Sequence, residues 1–223
     1  MKKKFASLAL LLILASCSNA PETETGEIRT LRLLKKAFDS SNKPKRFMDA
    51  RNLINRGQID AANMPVLFVE LASGQNGTLT PYPGQGDGRT WLGADGATIT
   101  LERGILKASR GMGDDLMGSS SSMPVWSNIN KKTENYNREV NHITGNNRTS
   151  KRIFNCNIEK TSSGDLIKIW DINFKVDKFE ESCSDGSITL TNTYQVDKQG
   201  IVRRSIQYHS ETLDYILIER LDR

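Results

Sequence analysis

The sequence predicts a mainly β protein: a single antiparallel β-sandwich or open barrel with one or two short N-terminal helices. Roughly ten short segments rich in β-branched and aromatic residues recur at regular spacing, parted by glycine, asparagine and aspartate turns. Helical periodicity is confined to the part of the chain before Ala62. Within several later segments apolar and polar residues alternate, as they do in a sheet with one buried face.

The first sixteen residues read as an export signal. Lys2, Lys3 and Lys4 precede an apolar run from Phe5 to Ala15, too short for a permanent bilayer span. Leu14-Ala15-Ser16-Cys17 matches the bacterial lipobox, in which the cysteine becomes the lipidated N-terminus. The competing reading is an ordinary secreted protein whose cysteine falls at the cut by chance. With acyl chains on Cys17, each buried methylene contributes about 0.8 kcal/mol, so no spanning helix is needed to hold the chain on a membrane. Ser18, where an aspartate would signal retention, resembles the sorting pattern for the outer membrane. The expected organisation is a signal peptide over 1–16, a lipidated tether over 17–26 and one domain over 27–223.

From Asn19 to Gly26 the run NAPETETG is polar and without periodicity, as a tether should be. Ile28, Leu31, Leu34 and Phe38 then recur at helical spacing, and after Pro44 a second helical segment over Arg46–Arg56 places Phe47, Ala50, Leu53 and Ile54 on one face. Val66–Leu71 is a continuous apolar strand. Arg89–Leu92, Thr98–Leu101 and Ile105–Ala108 follow, with Asp95-Gly96 as a hairpin turn. A looser serine-rich piece, Ser119–Pro124, separates these from strands at Asn137–Thr144, Ser150–Ile158, Leu166–Val176, Ser187–Val196, Ile201–Tyr208 and Asp214–Leu221. Trp170, Ile172, Phe174 and Val176 share one face, as do Ile188, Leu190, Tyr194 and Val196. A mature chain of about 200 residues suits one such domain.

Composition narrows the function. Lysine and arginine number 31 against 26 acids, but removing residues 1–16 takes away three lysines and leaves a net charge of +2. The basicity is mostly that of the export signal, and nucleic acid is not implied as a partner. Cys156 and Cys183, in a chain bound for an oxidising compartment, read as a disulfide, with metal ligation or a free thiol pair as alternatives. No histidine lies at metal-ligand spacing from either, so neither metal nor cofactor is expected.

Catalytic signatures are sparse. His142 and His209 are the only histidines, each alternates with apolar neighbours in a strand, and no GxSxG or HExxH motif accompanies them. The run PGQGDGRT over 83–90 lacks the lysine and flanking elements of a phosphate loop and reads as a hairpin connection. In GMGDDLMG, over 111–118, Asp114 and Asp115 are adjacent and so poorly placed to converge on one substrate. They suit turn capping, with Leu116 and Met117 packing beneath. No catalytic residue is assigned and the chain is read as a non-enzyme.

The segment Thr90–Gly118 resembles the YjbF/GfcB family of bacterial lipoproteins through Trp91, Asp95-Gly96, Gly104, Arg110-Gly111, Gly113, Asp115-Leu116 and Gly118. Phe154-Asn-Cys156 is similar to the family's aromatic-x-cysteine and Glu181-Ser-Cys183 to its acid-x-cysteine. Asn192-Thr-Tyr194, Gly200 and Arg204-Ser205-Ile206-Gln207 are similar to its closing hairpin, with Val202 near the place where family members often carry tryptophan. A lead-in strand pattern at Arg56–Val66 extends the likeness over most of the mature chain. The resemblance implies an outer-membrane lipoprotein, lipid-anchored and facing the periplasm, accessory to capsule or exopolysaccharide secretion. Its partners would be the membrane lipid, through Cys17, and a polysaccharide or export protein. If GMGDDLMG acts directly, recognition is expected, with Asp114, Asp115, Arg110 and Trp91 as candidates. The alternative is a carrier of a lipid or other hydrophobic ligand in a β-cavity, lined by Trp91, Trp170 and Phe174; a glycan-processing enzyme is the third reading.

Overall fold

Alternation with a period of two, sustained through most of the chain, closes a single sheet around one interior. The computed structural model describes residues 49–83, 90–124, 126–129, 134–143, 146 and 148–223. The export signal, Cys17, the tether, the helical segment over 28–38 and most of the 83–90 turn lie outside the described residues.

Twelve strands form one antiparallel sheet: β1 (Leu67–Leu71), β2 (Asn76–Pro81), β3 (Thr90–Gly93), β4 (Thr98–Glu102), β5 (Ile105–Arg110), β6 (Asp115–Ser121), β7 (Glu134–Ile143), β8 (Thr149–Ile169), β9 (Ile172–Ser184), β10 (Thr189–Asp197), β11 (Val202–Ser210) and β12 (Asp214–Arg220). Their order is β5-β4-β3-β2-β1-β12-β11-β10-β9-β8-β7-β6. The sheet is therefore two meanders joined where β1 pairs with β12, Leu67 opposite Arg220 and Leu71 opposite Ile216. The free edges, β5 and β6, are consecutive in the chain and lie side by side, so the sheet is a nearly closed barrel.

Inward residues build two core clusters. One surrounds Phe154, Ile158, Phe179, Leu190 and Tyr194; the other gathers Leu67, Val69, Trp91, Ile99, Leu106, Leu116, Ile216 and Ile218. A third cluster lies on the outer face of β1, where Val66 and Phe68 pack with Ile167, Ile169, Val176 and Leu221 beneath two short helices, α1 (Ala50–Leu53) and α2 (Arg56–Ala61). Burial on both faces explains why β1 reads as an unbroken apolar run.

Four expectations are corrected, the first being the lead-in strand at Arg56–Val66, whose first six residues, Arg56–Ala61, are helical because Asn55 caps them. The helix over 46–56 is interrupted: Ile54 is extended, and Asn55 and Gln58 form a capping box that starts a second helix. Leu53 is accordingly exposed rather than on a shared buried face. The segment Leu166–Val176 is not one strand but the tip of the β8–β9 hairpin, turning at Trp170 with φ 55°. The serine-rich piece is not loose. Ser119–Ser121 belong to β6, and Met123, Trp126 and Ile129 then fold into the first core cluster, with Trp126 against Phe179 and Tyr194 at ring separations of 5.2 and 5.0 Å.

Cys156 and Cys183 stand opposite one another on β8 and β9 and are joined by a disulfide. Replacing both by alanine removes the cross-link, and under the loop-closure relation should cost roughly 3.6 kcal/mol, read as a lower midpoint of urea unfolding in non-reducing buffer.

Candidate functional site

The β5–β6 seam is closed by side chains instead of a backbone ladder. Ser109, inward at the end of β5, accepts a hydrogen bond on Oγ from the Leu116 N–H at 2.9 Å. The Arg110 guanidinium donates to the Leu116 and Met117 carbonyls at 2.9 and 3.1 Å. Lys107 Nζ reaches Ser121 Oγ at 3.2 Å. Between the strands, Asp115 commits both carboxylate oxygens to the turn, accepting from the N–H groups of Gly111 and Met112 at 2.8 and 2.9 Å. Leu116 is 3% exposed and anchors the turn in the core, whereas Met117 is 43% exposed and faces outward. Only one of the two residues expected to pack beneath the turn does so, because β6 alternates.

Under the seam the interior is polar. His209 on β11, 1% exposed, shares a hydrogen bond between Nε2 and Ser109 Oγ at 2.9 Å. His142 on β7 donates from Nε2 to the His209 carbonyl at 2.6 Å. Gln207 crosses the barrel from β11 to β5, accepting from Leu106 N–H and donating to the Gly104 carbonyl, both at 2.9 Å. At Gly104, φ is 83° and an added Cβ would come within 2.3 Å of a Val202 methyl. The β4–β5 turn at Gly104 thus lies in direct contact with Val202 at the start of β11.

Deeper still sits Glu181, wholly buried. Its carboxylate faces Arg138 Nη2 at 2.7 Å and accepts from Asn192 Nδ2 at 2.7 Å, Tyr194 OH at 2.8 Å and Tyr136 OH. Burial, and then the Glu181 charge, push the Tyr136 and Tyr194 phenols well above their usual range, so both remain donors. Sequence reasoning noted Glu181 only as part of a cysteine motif and missed Arg138; an isolated charge inside a strand of alternating polarity was the available signal.

These groups border a cavity of about 320 Å³, whose wall includes Asp114, Ser119, His142, Phe154, Tyr208 and His209, with Ser150, Glu211 and Thr212 exposed at its mouth. Asp114 and Asp115 therefore part company: Asp114 borders the cavity, Asp115 caps the turn. Arg110 binds the seam. Trp91, 5% exposed, is packed in the second core cluster and borders a separate cavity together with Leu101, Gly104 and Val202. Trp170 and Phe174 belong to the outer cluster.

Ser109 Oγ is held by the Leu116 amide, and His209 Nδ1 has no protein partner to orient it, so the relay of a serine–histidine–acid triad is missing. Among the described residues, the single group close enough to ligate a metal is Cys156, Glu181 and Cys183, and its sulfurs are joined to each other. No described helix is long and apolar enough to cross a membrane.

The model of one protein family, described as group 4 capsule polysaccharide lipoprotein gfcB, YjbF, matches residues 32–221. Among solved structures, the crystal structure of the hypothetical lipoprotein YmcC from Escherichia coli (K12) matches with a TM-score of 0.66 and 17% identity, over 91% of this chain and 98% of that one. No curated protein matches.

Two outcomes test this geometry. Ser109→Ala leaves the buried Leu116 N–H without an acceptor and should cost about 1–3 kcal/mol, with faster amide exchange at Leu116. Burial and the neighbouring His142 push His209 down to about 4, against the opposing pull of Asp114 and Asp115. Its contribution is therefore complete above the unfolded value near 6.5 and is lost as pH falls towards 4. That is about 3 kcal/mol, read by urea unfolding across this range and flattened in His209→Gln.

Proposed function

Because the chain belongs to the YjbF family of group 4 capsule polysaccharide lipoproteins, we propose that it is an accessory of capsule or exopolysaccharide secretion, held in the outer membrane by lipid on Cys17 and facing the periplasm. On this reading residues 1–16 direct export, 17–26 form the tether, and the barrel binds the polysaccharide or a protein of the export machinery. It acts without catalysis.

The observation that carries the reading is the family match across nearly the whole barrel. The lipobox at Leu14-Ala15-Ser16-Cys17 supports the anchor. The engagement of Ser109 and Asp115 in closing the seam supports a binding role over a chemical one. A carrier of long hydrophobic ligands is less well supported: Gln207 spans the interior, and Trp91, Trp170 and Phe174 do not converge on one cavity.

Deleting the gene should reduce the amount or length of surface polysaccharide, and wild-type protein should restore it. Cys17→Ala should abolish incorporation of radiolabelled palmitate and shift the protein out of the outer-membrane fraction. Unchanged polysaccharide in the deletion strain would sink the reading.

A further inference from the structure

Buried polar atoms in a folded protein almost always find partners, so a cluster without them points to something that supplies the missing bonds. Among the residues that border the cavity beneath the seam, Asp114 Oδ1, Ser119 Oγ and His209 Nδ1 are buried from solvent and have no hydrogen-bond partner, and the same holds for Arg138 Nε and Nη2, although Nη2 lies 2.7 Å from a Glu181 carboxylate oxygen. The first three come from three different strands or turns, and their residues border the same space. As acceptor, hydroxyl and imidazole nitrogen they ask for a ligand able both to donate and to accept, which is the property of a hydroxyl group.

The charges restrict the ligand further. Arg138 faces Glu181, and Arg152 lies 2.6 Å from Asp185 and 2.8 Å from Glu211, so each cation on the wall already has its own carboxylate. An anion would find in Arg138 a guanidinium whose charge Glu181 already neutralises, and it would face Asp114. Two rings, Phe154 and Tyr208, supply apolar surface beside the polar atoms. The volume, about 320 Å³, lies at the small end of ligand sites.

We propose that this cavity is a carbohydrate subsite that takes one uncharged sugar residue through its open mouth, with Asp114, Ser119 and His209 bonding its hydroxyls and Phe154 and Tyr208 flanking its ring. The proposal rests on the secretion reading for the source of the sugar and assigns that reading a binding site.

The test uses the full mature chain with isotope-labelled histidine, titrated with D-glucose, D-galactose and N-acetyl-D-glucosamine, and separately with D-glucuronate and inorganic phosphate. At least one uncharged sugar should shift the imidazole resonances of His209 at millimolar concentration. Asp114→Ala should weaken that binding about tenfold or more, and Ser119→Ala, which alters a hydroxyl with no protein partner, should weaken it while leaving the unfolding midpoint in place. Binding of the anions alone overturns the proposal, as does sugar binding that neither moves His209 nor responds to the two variants. Absence of any binding, with only ordered water in crystals soaked in the same sugars, overturns it too. None of these results alters the effect of deleting the gene, so the subsite and the secretion role fail separately.

Discussion

A sheet of twelve strands that runs from β5 back to β1 and on from β12 to β6 has two unpaired edges, and the structure depends on how those edges are joined. Here the join falls between consecutive strands and is made by Ser109, Arg110 and Lys107, with Asp115 shaping the turn between them. Side-chain closure removes the exposed edge that would otherwise template pairing with another chain. The cavity lies directly beneath this join, with Asp114, Leu116 and Ser119 of the seam in its wall. The glycine-rich acidic motif is thus the fastener of the barrel, and the neighbouring cavity follows from its position.

The second constraint is electrostatic. Glu181 and Arg138 are buried, and the pair is tolerable only because Tyr136, Tyr194 and Asn192 satisfy the remaining acceptor positions of the carboxylate. The network ties β7, β9 and β10 together from inside, next to the disulfide that ties β8 to β9. Gln207 does the same between β11 and β5. An interior held by directional bonds resists the sliding that a purely apolar barrel would permit, and it fixes the polar wall of the cavity.

Much of this was legible in the sequence, for reasons that differ by element. Strands with one buried face, such as Thr98–Glu102 and Thr189–Asp197, announce themselves by alternation, and Asp95-Gly96 by its turn chemistry. The β8–β9 hairpin was hidden because its turn uses Trp170 at positive φ, where glycine or asparagine would be expected, while the real glycine, Gly164, lies inside a bulged strand. The short β2 went unnoticed because NGTLTP has the composition of a loop. At the site, Asp114 and Asp115 were visible as a pair but not as separate agents, since which carboxylate faces inward depends on β6 register. The convergence of Ser109, Gln207 and His209 was not legible, since it arises from strands a hundred residues apart.

The pairing of β1 with β12 imposes an order of assembly. Every other ladder joins neighbours in the chain and can form by local zipping, but this one must wait until the last strand is available. In a chain delivered N-terminus first, β1 spends its early life with β2 alone, its outward Phe68 not yet covered by Leu221, which follows β12 and later packs on it. Ring closure through Asp214–Arg220 is then the slow, non-local event of folding. Before it the protein is two open meanders, each with a sticky flank.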